Sequence, residues 1–513
     1  MGTLEETNPS YWVATSPETA FPRYGGAGET VDVAVVGGGI TGLAIAHSLK
    51  RAGLRVAVLE ANRVASGVTG YTTAKVSSLH GLTYARLAKS LGEDGAAVYA
   101  GANQQAIELV AGWVGELAIE CDFERLPAFT YTESVEGSSD IEAEVAAAQA
   151  AGLAAELVEG DIGLPWPVAA AVRLDDQAQF HPRRYCIGLA QAIDGDGSFV
   201  FEQTRVTDVD QGDPCVVTTE HGELRADHVV LATQLPFLDR GGFFAKTHPE
   251  RSYALSARLE GPAPAGMYLS SDSPTRSVRP IRAGGDEVIL GGEGHKTGQD
   301  DDTEQRYRVL EEWARERFDV RSIDHRWSAQ DYMPVDEVPY IGKLTRTSPN
   351  VHVATGFKKW GMTHAHVAAM ILTDEIVGLH SPFASLYDAH RGTPVSGAKP
   401  LVKENLNVAK RFLGDRVSAM RARSIDHLSA GQAGVFTLGG KRVAAYRDDE
   451  GALQCVSATC THLGCLVAWN TAERTWDCPC HGSRFGCDGR VINGPAVDDL
   501  EPVVIDDPIA EED

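Results

Sequence analysis

The sequence predicts an α/β dinucleotide-binding domain with an inserted, mainly antiparallel sheet, followed by a small all-β domain. Three observations predict it. Near the N-terminus a β-branched apolar run, a glycine-rich turn, a helical stretch and a second apolar run follow one another directly. The middle of the chain interleaves helical blocks with short strand-like runs. Beyond about residue 423, strands and glycine turns replace helix, and six of the nine cysteines crowd between Cys455 and Cys487.

The first block runs from the apolar residues Val31 to Val36, through Gly37-Gly38-Gly39-Ile40-Thr41-Gly42, into a helical stretch from Leu43 to Ala52. Arg55 to Glu60 then returns as a strand, which is the order of a βαβ unit. Helical spacing follows from Gly95 to Leu117 and from Ile141 to Leu157. Strand-like runs dominate from about 200 to 300, among them Cys215-Val216-Val217, Val229-Val230-Leu231 and Val288-Ile289-Leu290. Helical character returns at 303–318 and from Thr363 to Val377. Residues 391–422 hold two prolines and a polar helical stretch and read as a connector. The expected organisation is therefore an N-terminal extension (1–29), a large nucleotide-binding and substrate unit (30–390), a linker (391–422) and a small β domain (423–513).

Composition narrows the function classes. The chain has 513 residues, 43% of them hydrophobic, which suits large packed cores. Its 71 acidic and 46 basic residues give a formal charge of −25, a surface that repels phosphate backbones and anionic lipid. Nucleic acid is therefore not expected as a partner. No run of roughly 18 uncharged apolar residues is present, so no transmembrane segment is expected. The acidic N-terminus lacks the basic and apolar regions of a signal peptide, so the expected location is cytoplasmic. In a reducing compartment, clustered cysteines read as metal ligands before disulfides.

Gly37, Gly39 and Gly42 form G-x-G-x-x-G between strand and helix. The first glycine permits the tight turn, the second lets backbone approach a pyrophosphate, and the third allows close helix–strand packing. The helix start then offers its N–H groups to the phosphates. Glu60 lies eighteen positions after Gly42, where a carboxylate can accept from a ribose hydroxyl. This pattern alone does not separate FAD from NAD. Gly291-Gly292-Glu293-Gly294 follows a strand but opens no helix, so no separate NAD(P)H domain is expected.

At the other end, Cys460-Thr461-His462 and Cys478-Pro479-Cys480-His481 make C-x-H and C-x-x-H, with fifteen residues between His462 and Cys478. Each half puts one thiolate and one imidazole on a short loop. Two cysteines on one iron and two histidines on the other define a Rieske [2Fe–2S] centre, and neutral imidazoles raise its potential. A zinc ion accepts the same donor set and is the alternative.

Residues 30–390 resemble the family of D-amino-acid, glycine and sarcosine oxidases. The resemblance rests on Arg63-Val64-Ala65-Ser66-Gly67-Val68-Thr69-Gly70, Ala226 to Thr233, Asp336 to Gly342 and Ala354 to Met362. It implies FAD, contacted by Gly37, Gly38, Gly39, Ile40, Thr41 and Gly42 and by Glu60, Ala61, Arg63, Gly67, Thr69 and Gly70. It further implies Val206 near the adenine, Ala232 and Thr233, and the returning segment Gly356, Phe357, Lys358, Lys359, Trp360, Gly361 and Met362. Family members that bind flavin covalently carry a histidine after the Ser-Gly segment. Tyr71 stands there, so the resemblance implies non-covalent FAD.

Residues 423–508 resemble Rieske domains, especially the high-potential type of respiratory and photosynthetic complexes. The resemblance implies iron ligands at Cys460, His462, Cys478 and His481, and a disulfide between Cys465 and Cys480. It also implies a serine (Ser483) bonded to a bridging sulfide and a shielding loop at Gly494-Pro495-Ala496. Phe485 departs from the pattern, standing where those relatives carry a tyrosine. Cys455 and Cys487 are expected as small core residues.

Together these readings predict a flavin-dependent oxidoreductase. A small organic substrate, expected to be an amine or amino acid, reduces FAD, and electrons pass to the Rieske cluster and on to an external acceptor. That acceptor is a quinone, a redox protein or O₂. The alternatives are an O₂-using flavin oxidase whose cluster senses or supports, or an electron-transfer subunit of a larger complex. Lys75, Arg279, Arg282, Tyr332, Lys359 and His364 are the candidate residues facing the flavin and substrate, each with surface or structural ion pairing as its bland alternative. An arginine among them would hold a carboxylate in two-pronged fashion.

Overall fold

The computed structural model describes residues 8–300, 302–392, 405, 408 and 425–505. Apart from residues 391, 392, 405 and 408, the expected linker (391–422) falls outside the described residues.

The predicted βαβ unit is present as strand Thr30–Val36, helix Ile40–Arg51 and strand Val56–Leu59. Along the first strand, Val33 and Val35 enter one apolar core while Ala34 and Val36 enter another on the opposite face. That alternation is what a strand covered on both sides requires. The strand pairs in parallel with Val56–Leu59 and with Gly222–Leu231, Val33 facing Val56 and His228. Val351–Thr355 and Phe199–Phe201 extend the parallel set, and Tyr340–Lys343 closes one edge antiparallel. Helix Ile40–Arg51 packs between Gly361–Ile376 and Pro182–Ile193. Small residues such as Ala44, Ala46, Ala365 and Ala368 are fully buried there and let the helices approach.

The inserted sheet has nine strands, beginning at one edge with Val320–Pro334, Thr247–Leu259 and Glu287–Lys296. It is antiparallel throughout except where Met267–Ser270 runs parallel to Glu124–Thr132. Helical spacing from Ile141 to Leu157 is only half realised. The helix Ser138–Ala150 ends where Gly152 takes a left-handed φ of 91°, and Glu156–Gly160 then pairs as a strand with Val168–Gln179. Glycine just past the cap stops a helix whatever apolar spacing follows it. The stretch expected from Gly95 begins earlier, at Tyr84, and kinks at Gly92. No helix among the described residues is long and apolar enough to cross a membrane.

The C-terminal domain holds a three-stranded and a four-stranded antiparallel sheet. It is seated on the inserted sheet. Arg251, fully buried, lies between Glu473 (3.7 Å) and Asp477 (3.8 Å). Thr303 donates to Asn470 at 2.8 Å and Tyr307 to Glu473 at 2.9 Å. Removing one partner of such a buried set strands charge and costs about 3–5 kcal/mol. Gly298 (φ 65°) abuts the small domain so closely that a Cβ would lie 2.9 Å from Pro479 N and 3.0 Å from Asp477 O.

Candidate functional site

A cavity of about 1070 Å³ opens between the parallel sheet and the inserted sheet. At one end it is lined by Gly37, Gly39, Ile40, Thr41, Glu60 and Ala61, joined by Val206, Ala232 and Thr233. Gly39 caps helix Ile40–Arg51 without a side chain, and apart from Ile40 N, which donates to Thr69 Oγ1 at 3.1 Å, no side chain caps that helix start against an anion. Glu60 is pinned by the N–H groups of Gly38 (2.6 Å) and Asn62 (2.8 Å), while burial raises its carboxyl above the ordinary range. Its remaining lone pairs are free to accept from a ribose.

Four of the expected FAD contacts do not line the cavity. A Cβ on Gly42 would collide with the Gly37 carbonyl oxygen, and one on Gly70 would lie 2.5 Å from Ala65 O. A Cβ on Gly38 would sit 2.9 Å from the Glu60 side chain. These three glycines serve close packing. Arg63 turns away to Thr19 O and Glu202. Gly67, Thr69 and all of Gly356, Phe357, Lys358, Lys359, Trp360, Gly361 and Met362 do line it. So does Tyr71.

The 356–362 segment is held in a strained turn, with Lys358 and Lys359 at φ 50° and 68°. Strand Val320–Pro334 over-determines it. Lys358 N donates to Tyr332 O at 3.2 Å, and Lys359 N donates to the Asp331 carboxylate. Burial pushes that carboxyl up to about 6.

Of the six candidate substrate residues, two line the cavity. Lys75 is buried, donating to Tyr268 O (2.7 Å) and Ser277 Oγ (2.5 Å). Burial, and then Arg279 nearby, pulls its amine down to about 7. Lys359 pairs with Glu250 at 3.1 Å. The other four lie elsewhere. The Arg279 guanidinium is spent on backbone carbonyls of Ala74, Pro280 and Ile281, beneath the ring of Trp12. Arg282 is exposed and pairs with Asp122 at 2.9 Å. His364 packs among His80, Tyr99 and Phe357, and burial drives it down to about 3, so it is neutral. Tyr332 points into the seam with the small domain.

That last placement follows from strand alternation. Ala329, Asp331 and Met333 face the cavity. Ser328, Gln330 and Tyr332 face the small domain, bonding Glu473 (2.9 Å), Gly482 O (2.8 Å) and His481 O (2.8 Å). One pleated strand therefore separates the cavity from the cluster loops. Sequence reasoning also missed Glu250, Glu293, Gln234, Arg205 and Asn493 on the cavity wall. The face with Ser328, Gln330 and Tyr332 is polar and the other sets Asp331 between Ala329 and Met333, so the strand's period-2 pattern does not mark Asp331 as a cavity residue.

The two cluster loops are built alike. Gly464 N returns to Cys460 O, and Gly482 N returns to Cys478 O, both at 3.0 Å. A disulfide joins Cys465 to Cys480. Three sulfurs, Cys465, Cys478 and Cys480, lie within 4.8 Å, but two are consumed by that bond, leaving Cys460 and Cys478 as thiol donors. Hydrogen bonds from the Cys478 thiol, the backbone at His462 and the Ser483 hydroxyl favour the Cys460 thiolate and hold Cys460 below the ordinary thiol range. The His462 and His481 rings lie 5.0 Å apart. His462 Nε2 donates to Asp239 at 2.8 Å, which leaves Nδ1 as the lone-pair nitrogen. That Nδ1, and Nδ1 of His481, are buried without a partner. Two thiols and two orphaned imidazole nitrogens, one ring oriented by a carboxylate, fit a Rieske cluster. Phe244 stands edge-on to both histidine rings, and Phe485 is fully buried in the small domain's core, in the same apolar cluster as Cys460 and Cys478.

Comparison with known proteins matches residues 32–375 to the FAD dependent oxidoreductase family and 418–504 to the Rieske [2Fe-2S] domain. The chain is 36% identical to YhfW of Bacillus subtilis, described as a Rieske 2Fe-2S iron-sulfur protein, over 98% of this chain and 99% of that one. It is 25% identical to γ-glutamylputrescine oxidoreductase of Escherichia coli, over 76% of this chain and 93% of the relative. Glycine oxidase from Geobacillus kaustophilus shares the fold with a TM-score of 0.62 at 18% identity, over 71% of this chain and 99% of that structure.

Proposed function

This chain belongs to the FAD dependent oxidoreductase family and ends in a Rieske [2Fe-2S] domain, and from that premise we propose that it oxidises a small amine or amino acid and passes the electrons through the cluster to an external acceptor. FAD supplies a two-electron acceptor and the cluster a one-electron carrier. In this reading Cys460, His462, Cys478 and His481 hold the iron, and the residues lining the glycine-turn end of the cavity hold FAD without a covalent bond. The observation that carries the proposal is the shared strand. Asp331 faces the cavity and braces the turn at Lys359, while its neighbour Tyr332 holds the backbone of His481.

Lys75 and the serine hydroxyls of the inserted sheet provide polar grips on the substrate. A relative named for a γ-glutamyl amine and structural neighbours named for amino acids support a C–N bond as the one oxidised.

The test is anaerobic mixing of the protein with a panel of amines and amino acids. The flavin band should bleach with one of them, and a mixed N/S-ligated electron paramagnetic resonance signal should follow. Flavin bleaching with a cluster that stays oxidised would instead support an oxidase in which the cluster senses or supports.

A further inference from the structure

The small domain supplies part of the cavity wall. Residues 492–497 line the same space as Gly37 and Glu60. Their partners show which end they cover. Asn493 Nδ2 reaches Gln234 Oε1 at 3.5 Å, and Gln234 follows Thr233. Arg205 Nη2 donates to Val491 O at 3.2 Å, and Arg205 precedes Val206. Thr233 and Val206 mark the end of the cavity where the nucleotide half of FAD would lie. On its other side the loop is tied to the cluster loops, with Ala496 N donating to Ser483 Oγ at 3.1 Å. Pro495 and Ala496 are buried.

We propose that the 491–497 segment of the Rieske domain is part of the FAD-binding site and retains the cofactor by closing the cavity over its nucleotide half. FAD then leaves only when the small domain lifts from its seat, against the buried pairs of Arg251 with Glu473 and Asp477. The same segment shields the cluster on one face and walls the flavin cavity on the other. A closing wall of this kind slows exit without touching the chemistry. The proposal holds whether or not electrons pass between the two centres.

The experiment follows FAD release, read as the rise in free-flavin fluorescence after dilution, in the full chain and two variants. Gly298→Val acts from the large domain, does not line the cavity, and drives a side chain into the backbone of Asp477 and Pro479, on either side of Cys478. It should speed release at least about tenfold, the equivalent of about 1.4 kcal/mol of lost closure. Asn493→Ala removes the contact to Gln234, the bond to Gly494 O and part of the cavity wall, and should speed release several-fold. The cluster signal should persist in both. Acceleration in either variant with that signal intact supports the proposal. Release at the parental rate in both overturns it.

Discussion

The two cofactor sites are built on opposite plans. The proposed cluster site draws its four donors from between Cys460 and His481, on two matching loops tied by Cys465–Cys480. The flavin cavity gathers residues from Val36 to Val497, bringing together both large sheets and the small domain. A locally encoded site depends wholly on a few atoms. A dispersed one spreads its dependence over backbone approach and strand register. Single substitutions should therefore be catastrophic in the first and graded in the second.

The sharpest test of that contrast is His481→Ala. It should abolish the normal cluster, with iron and acid-labile sulfide lost, while bound FAD keeps its visible spectrum. Full iron content with an unchanged signal would break the ligand assignment.

Next in size is the tie between the loops. Cys465→Ser removes a crosslink spanning 15 residues, worth about 3 kcal/mol for a loop of that length. Thermal bleaching of the cluster should move to lower temperature, and the flavin transition should move less. Intact mass under denaturing, non-reducing conditions checks the bond in the parent. Two freely alkylated thiols at Cys465 and Cys480 would contradict it.

Gly42→Ala probes the dispersed site at its tightest point. The added methyl meets the Gly37 carbonyl, and forcing such an overlap costs about 1–3 kcal/mol. FAD affinity should fall by up to about a hundredfold, with the iron signal unchanged. Parental affinity would show that the turn relaxes freely.

A change confined to potential, of similar free energy, is expected at Phe485. Phe485 offers no hydroxyl to a ligand sulfur, and one hydrogen bond to a charged acceptor is worth about 1.5–3 kcal/mol. Phe485→Tyr should raise the midpoint by roughly 65–130 mV for one electron. A redox titration at fixed pH decides it, and an unchanged or lowered midpoint with an intact cluster would refute the reading.

The same contrast explains what the sequence disclosed. The proposed donors Cys460, His462, Cys478 and His481 are readable because donor type and loop spacing are written in consecutive residues. The βαβ unit is readable for the same reason. Arg279 and Tyr332 were misplaced because their roles depend on tertiary neighbours. One is consumed by the carbonyls of Ala74 and Ile281, and the other faces a domain more than a hundred residues downstream. Asp331 and Asn493 gave no local signal, because each gains its position from an element distant in sequence.

The bond from His462 Nε2 to Asp239 has a pharmacological consequence. Small molecules that act by hydrogen-bonding the outer nitrogen of a cluster histidine would find that nitrogen already taken by the protein's own carboxylate. Phe244 narrows the approach to both rings. In the docked arrangement, a compound aimed at His462 must first displace Asp239.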